Sequence, residues 1–334
     1  MPEPPVEEPV VGVGGEGAGS RRRAAGAVAT GLFLLVALAA VAIALRGDWA
    51  AWSGLEEETR GYVWDLSVLP LLAALAAGVT ALLVSGVVWV WLFRAAGGRT
   101  GGAEAVAAWL GSNLGRYLPG KVWQLTSLAA WIRTRGDSGA TALAVSLALQ
   151  AAVLVAAAAV AAVTLGTRAF AGTDPRVVGA ALAVAALALS PPVLRRAIRW
   201  GRRVLRERGE ADIGGLDTAR LMGAGLCALL LWTLYGLGFW ALIHGLVSGG
   251  PVRLATATGI FAAGYLIGYL VLVAPGGIVV REGAIAALLG AAAGIPPGPA
   301  TAIALAARLW TTVAELVAFG VAAGIGLRTR RRKG

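Results

Sequence analysis

Residues 66–93 read LSVLPLLAALAAGVTALLVSGVVWVWLF, 28 positions without one charged side chain. About 20 apolar residues carry an α-helix across ~30 Å of hydrocarbon, so this stretch predicts a membrane span. It ends in Trp89, Trp91, Phe93 and Arg94, an aromatic and cationic anchor suited to a bilayer boundary. Comparable runs occur at about 26–45, 138–166, 177–194, 219–247, 254–274 and 299–326. The composition agrees, with 58% hydrophobic and only 14% charged residues. A soluble domain carries about 25% charged residues, so lipid must solvate most of this surface. The expected fold class is an all-α integral membrane protein.

The charges give an orientation. Residues 1–24 are rich in Pro, Glu and Gly until Arg21, and read as a disordered cytoplasmic tail. The run at 26–45 is too long for a signal-peptide core and reads as a retained first helix. The segment 46–65 is acidic and holds Trp49, Trp52, Tyr62 and Trp64, as an external loop does. A connecting loop at 195–218 carries Arg195, Arg196, Arg199, Arg202, Arg203, Arg206 and Arg208. The tail 328–334 carries Arg328, Arg330, Arg331, Arg332 and Lys333. The positive-inside rule puts that loop and both termini in the cytoplasm, with residues 25–327 as one polytopic domain of the cytoplasmic membrane. The net charge of +11 lies in short runs beside apolar segments. That pattern fits anionic lipid and not nucleic acid. A single cysteine, Cys227, excludes a disulfide within the chain.

Two stretches do not read as ordinary spans. The first, 103–131, is apolar but broken at Pro119-Gly120; the second, 275–296, opens on Pro275-Gly276-Gly277. Proline removes a backbone donor and glycine admits φ > 0, so a helix stops at each. Non-helical backbone at membrane depth persists only where protein or a watery cavity covers it, so both read as re-entrant or broken helices. Six full crossings result if both re-enter with 254–274 as one arm of the second hairpin, and eight if 254–274 and 281–296 both cross.

Rare polar residues gather at the same places. Asn113 is the chain's one asparagine, Lys121 its one lysine before the tail, and Gln124 one of two glutamines. With Arg116 and Tyr117 they surround the first break, where freed backbone groups face a cavity in the manner of transporter half-helices. A plainer account has Arg116 and Lys121 snorkelling to lipid phosphates from an interfacial helix. At the second break Arg281 and Glu282 stand in apolar sequence. Such residues usually face a bundle interior, and neighbours on one helix do not face each other, so each seeks a partner elsewhere. Arg308 and Glu315 are seven residues apart on one face of the last span. The expected pairs are Arg308 with Glu282, and Glu315 with Arg281 or Lys121. Arg116, Lys121, Arg281 and Arg308 outnumber the two glutamates, and a cavity so lined suits an anionic group such as a lipid phosphate.

Other features carry less. His244 reads as an interfacial residue rather than a ligand, and Gly264-xxx-Gly268 fits close helix packing, a spacing that recurs easily among 48 glycines. One histidine and one buried cysteine leave little material for metal or acid–base chemistry, so neither a cofactor nor enzyme activity is expected.

The two breaks carry a family resemblance. Residues 113–121, NLGRYLPGK, resemble the N-x-x-R-Y-x-P-G-K signature of the lysylphosphatidylglycerol synthase transmembrane-region family of flippase-like proteins. Residues 275–284, PGGIVVREGA, resemble its second signature, with Val279 standing where that signature has glycine. Arg308 sits where the family places a late-helix arginine. The resemblance spans roughly 25–330 and stops short of the aminoacyl-transferase domain of bifunctional members. It implies the lipid-translocating half alone, moving an anionic or headgroup-modified lipid between leaflets. Asn113, Arg116, Tyr117, Lys121, Gln124, Arg281, Glu282, Arg308 and Glu315 would engage the lipid, with Pro119, Gly120, Pro275, Gly276 and Gly277 as hinges. Membrane lipids are then the partners, and the reading also admits a second copy of the chain or a separate lipid- or glycan-modifying enzyme. The alternative is a non-catalytic membrane scaffold for such an enzyme, docking it on the basic loop.

Overall fold

The computed structural model describes Thr59, Trp64 and residues 66–117, 122–166, 190–204, 217–247, 252–270 and 280–331. The expected first span, most of the expected 177–194 span, and Pro119, Gly120, Lys121, Pro275, Gly276 and Gly277 lie outside them. Among the described residues all regular structure is helical: α1 Val68–Ala95, α2 Gly102–Asn113, α3 Val122–Thr134, α4 Gly139–Leu165, α5 Pro191–Val204, α6 Thr218–Leu246, α7 Leu254–Leu270, α8 Val280–Ala293 and α9 Pro297–Arg331. One 3₁₀ turn, Leu114–Tyr117, extends α2.

Among the described residues four helices, α1, α4, α6 and α9, are long and apolar enough to cross a membrane, and α7 is a shorter apolar helix. Their starts are set by local chemistry. Ser138 caps α4 by accepting from the Thr141 amide at 3.1 Å, and Asp217 caps α6 through the Arg220 amide at 2.8 Å. Each satisfies one amide that the first helical turn leaves without a partner. By contrast α8, at 14 residues, is about 21 Å long at ~1.5 Å per residue, short of a full crossing. Gly294, at φ 68°, turns the chain out of α8 towards the Pro296-Pro297 start of α9.

Two apolar clusters fill the bundle and divide it across its long axis. One joins Ala74 of α1, the far half of α4 (Ala152 to Leu165), Phe239 to Leu246 of α6, α7, α8 and the first half of α9. The other joins Leu82 to Phe93 of α1, α2, α3, the near half of α4 (Ala142 to Leu149), Leu221 of α6 and Ala314 to Ala322 of α9. Trp310 wedges the central helices together. Its indole N–H donates to the Ala74 carbonyl at 2.8 Å, and its ring packs on Gly78 and Gly238.

The end of the bundle around the second cluster is basic. Arg94 closes α1, Arg133 and Arg135 close α3, and Arg220 opens α6. Asp137 ties two connections together there, accepting from the Arg99 amide at 3.2 Å and from the Thr100 amide and hydroxyl. Two expected boundaries change. The first part of the basic 195–218 loop is helical: Pro191 and Pro192 suit a helix start, arginine is a good helix former, and Ile198 is buried while Arg195, Arg196, Arg199, Arg203 and Trp200 stay exposed. The last helix also runs through Arg331, past the expected tail boundary at 328, and its final basic residues complement the helix dipole.

Candidate functional site

The seam between the two apolar clusters is not closed. A cavity of about 200 Å³ lies there, lined from Gly78 and Ser85 on α1 round to Arg308 and Glu315 on α9. Each long helix contributes to it where it passes from one cluster to the other, so the cavity sits near mid-height of the spanning helices.

The second break supplies its charges. Arg308 Nη1 donates to Glu282 Oε1 at 2.9 Å, locking α9 to α8, and both side chains are less than a tenth exposed. Two buried charges persist at such depth only when each neutralises the other. Thr311 and Thr312 donate their hydroxyls to the Arg308 carbonyl, so the same turn of α9 is braced from below. Arg281 takes a different course. A side chain at Gly268 would place its Cβ 2.7 Å from the Arg281 Cβ, and one at Gly264 would strike Ile285. The absence of both lets α8 lie close against α7, which is the use of the Gly264-xxx-Gly268 spacing. From there the Arg281 guanidinium covers the faces of Phe261 and Tyr265, at 4.8 and 5.8 Å from the ring centroids. Cationic carbon over an aromatic face is attractive, the more so when water is excluded. Glu315 is buried two turns beyond Arg308 and lines the same cavity.

The first break supplies amides. Gln124, near the start of α3, donates Nε2–H to Oδ1 of buried Asn113 at the end of α2, at 2.5 Å. The bond bridges the two arms across the break. Arg116 and Tyr117 stand in the 3₁₀ turn between them. The cationic excess expected from Arg116 and Lys121 therefore concerns side chains outside the described ones. Among the described side chains, Arg281 and Arg308 are matched by Glu282 and Glu315. His244 sits on α6 with Nδ1 2.9 Å from the Trp240 carbonyl and its ring against the Trp240 indole, outside the cavity.

Sequence reasoning missed a second amide bridge. Gln150 of α4 donates Nε2–H to the Tyr265 hydroxyl of α7 at 3.1 Å. Gln150 is the chain's other glutamine, so the rarity that marks Gln124 marks it equally. It also missed an aromatic wall. Phe261, Tyr265 and Tyr269 form a stripe at four-residue spacing on α7, facing Trp232 and Tyr235 of α6. Trp232 is fixed by donating its N–H to the Val153 carbonyl at 2.9 Å.

Comparison with curated proteins and with solved structures finds no match to this chain. One family does match, described as the lysylphosphatidylglycerol synthase TM region, over residues 24–318. Those residues hold both breaks, both amide bridges and the Arg308–Glu282 pair. A match over most of the chain, on a helical membrane bundle with charged and amide side chains lining a cavity at its middle, places it: the protein belongs to the lysylphosphatidylglycerol synthase TM region family.

Proposed function

We propose that this protein is a flippase-like lipid transporter, carrying the headgroup of an anionic or headgroup-modified phospholipid between leaflets of the cytoplasmic membrane. The observation that carries the reading is the position of the cavity: it gathers buried charged and amide side chains, among apolar ones, at mid-height of the bundle. Moving a headgroup across hydrocarbon costs several kcal/mol unless polar partners replace its water. Arg281 is the described cation best placed for the phosphate, lying half-buried on the aromatic wall. The two broken segments act as re-entrant arms whose shifts open the cavity to one leaflet and then the other. The step is transport without covalent chemistry.

The basic end of the bundle faces the cytoplasm in this reading, with both termini on that side. A second reading is supported by α5. Its exposed arginines and Trp200 offer a docking surface for a separate lipid- or glycan-modifying enzyme.

Reconstitution in liposomes tests the two against each other. With fluorescent phospholipids in both leaflets, a membrane-impermeant quencher reports exchange. Transport predicts exchange above that of protein-free vesicles, falling at least about tenfold in Arg281→Ala. Absence of exchange with every anionic lipid favours the docking role.

A further inference from the structure

One helix differs in kind from the long ones. The spanning helices α1, α4 and α6 are apolar nearly all round, whereas α5, Pro191–Val204, holds five arginines among its 14 residues and no acidic one. We infer that α5 is an interfacial helix whose arginine face binds the anionic headgroups of the adjoining leaflet. None of its residues lines the cavity, so this lipid-binding surface is separate from the cargo site.

The helix sorts its residues. At about 100° per residue, Arg195, Arg196, Arg199, Arg202 and Arg203 fall within one sector of about 120°. Val193, Trp200 and Ile198 fall outside it, in a sector without a charged residue, with Trp200 and Ile198 at its two edges. A positive-inside bias asks only for a number of cations, whereas confining them to one face asks for a surface to meet them. Arg195, Arg196, Arg199 and Arg203 are exposed, and among the described residues none of them meets a carboxylate.

Protein covers the uncharged sector unevenly at its edges. Ile198 is fully buried, in the cluster that holds Leu92, Phe93, Ala142 and Leu221, whereas Trp200 is 68% exposed. That cluster lies at the end of the bundle where Trp91 and Arg94 close α1 with an aromatic and cationic anchor. Helix α5 thus rests at the level of the bilayer boundary, one edge on the bundle and the other against lipid. Indole prefers that boundary, where its ring meets acyl chains and its N–H meets water. The arginines beside it reach headgroup phosphates, whose oxygens a guanidinium can hold two at a time. A protein partner could also cover Trp200. Arginines spread across a whole face, with no acidic residue among them to fix a register, suit a continuous anionic surface better than a patterned interface.

The test uses the full chain in phosphatidylcholine nanodiscs, with Cys227→Ser as background and a nitrobenzoxadiazole label on Trp200→Cys. Equal small fractions of phosphatidylglycerol or phosphatidylcholine, each bearing a nitroxide near the ester carbonyl, serve as quenchers. The phosphatidylglycerol form should quench at least about threefold more strongly, because a basic cluster concentrates anionic lipid around it. The difference should vanish when Arg195→Gln, Arg199→Gln and Arg203→Gln are combined, all three side chains being exposed. It should shrink at ~1 M salt, where the screening length is about 3 Å. The same label on Arg253→Cys, before α7, should show no such preference. An equal preference there overturns the inference, since it would report a general attraction to the protein. Equal quenching of position 200 by the two lipids overturns it too. So does quenching by neither, which would place position 200 away from lipid and leave α5 to the docking role. The lipid comparison is made with all arginines of α5 in place, so it decides the matter even if the triple variant fails to fold. None of these outcomes depends on leaflet exchange through the cavity.

Discussion

Arg308 on α9 reaches Glu282 on α8 with 2.9 Å between Nη1 and Oε1, and neither side chain is more than a tenth exposed. Removing one member strands the other as a buried charge, which costs about 3–5 kcal/mol. Glu282→Leu and Arg308→Leu should therefore each lower the melting temperature sharply. The double variant, with an apolar pair in place of the ionic one, should melt well above either. Thermal unfolding of all four proteins in one detergent gives the coupling energy. Strict additivity would mean that the two residues do not act as a pair.

The close approach of α7 and α8 at Gly268 predicts a variant that harms the site more than the fold. A Cβ there would stand 2.7 Å from that of Arg281, so Gly268→Val must push α8 away and swing Arg281 off Phe261 and Tyr265. Lipid exchange should fall by about tenfold or more with a smaller effect on melting than the single Glu282 variant has. Gly320→Ala on α9, with nothing within 4 Å of the added methyl, is the control and should leave both unchanged.

Trp310 tests the joint between α1, α6 and α9. Its N–H donates to the Ala74 carbonyl at 2.8 Å and its ring fills the space over Gly78 and Gly238. Trp310→Phe keeps most of the packing and loses one hydrogen bond, an effect of about 1 kcal/mol. Trp310→Ala empties the joint and should cost about 3–5 kcal/mol. Similar losses from both would place the stability in the hydrogen bond rather than the ring.

The long helices were readable because lipid imposes one demand, an unbroken apolar run, that a linear sequence displays directly. The Arg308–Glu282 pair was readable for a related reason: a charge at that depth must have a partner, and few candidates existed. Gln150 escaped although it is as rare as Gln124, since no proline or glycine beside it announced a break. The aromatic wall was hidden differently. Trp232 and Tyr265 lie 33 positions apart, and only the packing of α6 on α7 makes them one surface. In α5 the density of arginine obscured a helix whose anchorage on the bundle shows in buried Ile198.

The charge asymmetry of the bundle predicts its orientation without any count of crossings. Trp200 on α5 and Arg253 before α7 flank α6, a single helix of 29 residues, about 43 Å long at ~1.5 Å per residue. A crossing by α6 puts these two positions on opposite sides of the membrane. Trp200 belongs to the arginine-rich end, and the proposed orientation puts that end in the cytoplasm, where each basic side chain would gain ~1 kcal/mol from anionic lipid. Cys227 is the chain's one cysteine, so Cys227→Ser gives a background free of thiols. On it, Arg253→Cys should react with an impermeant maleimide in intact cells, and Trp200→Cys should react only after the membrane is opened. The reverse pattern would invert the orientation, and labelling of both in intact cells would deny that α6 crosses.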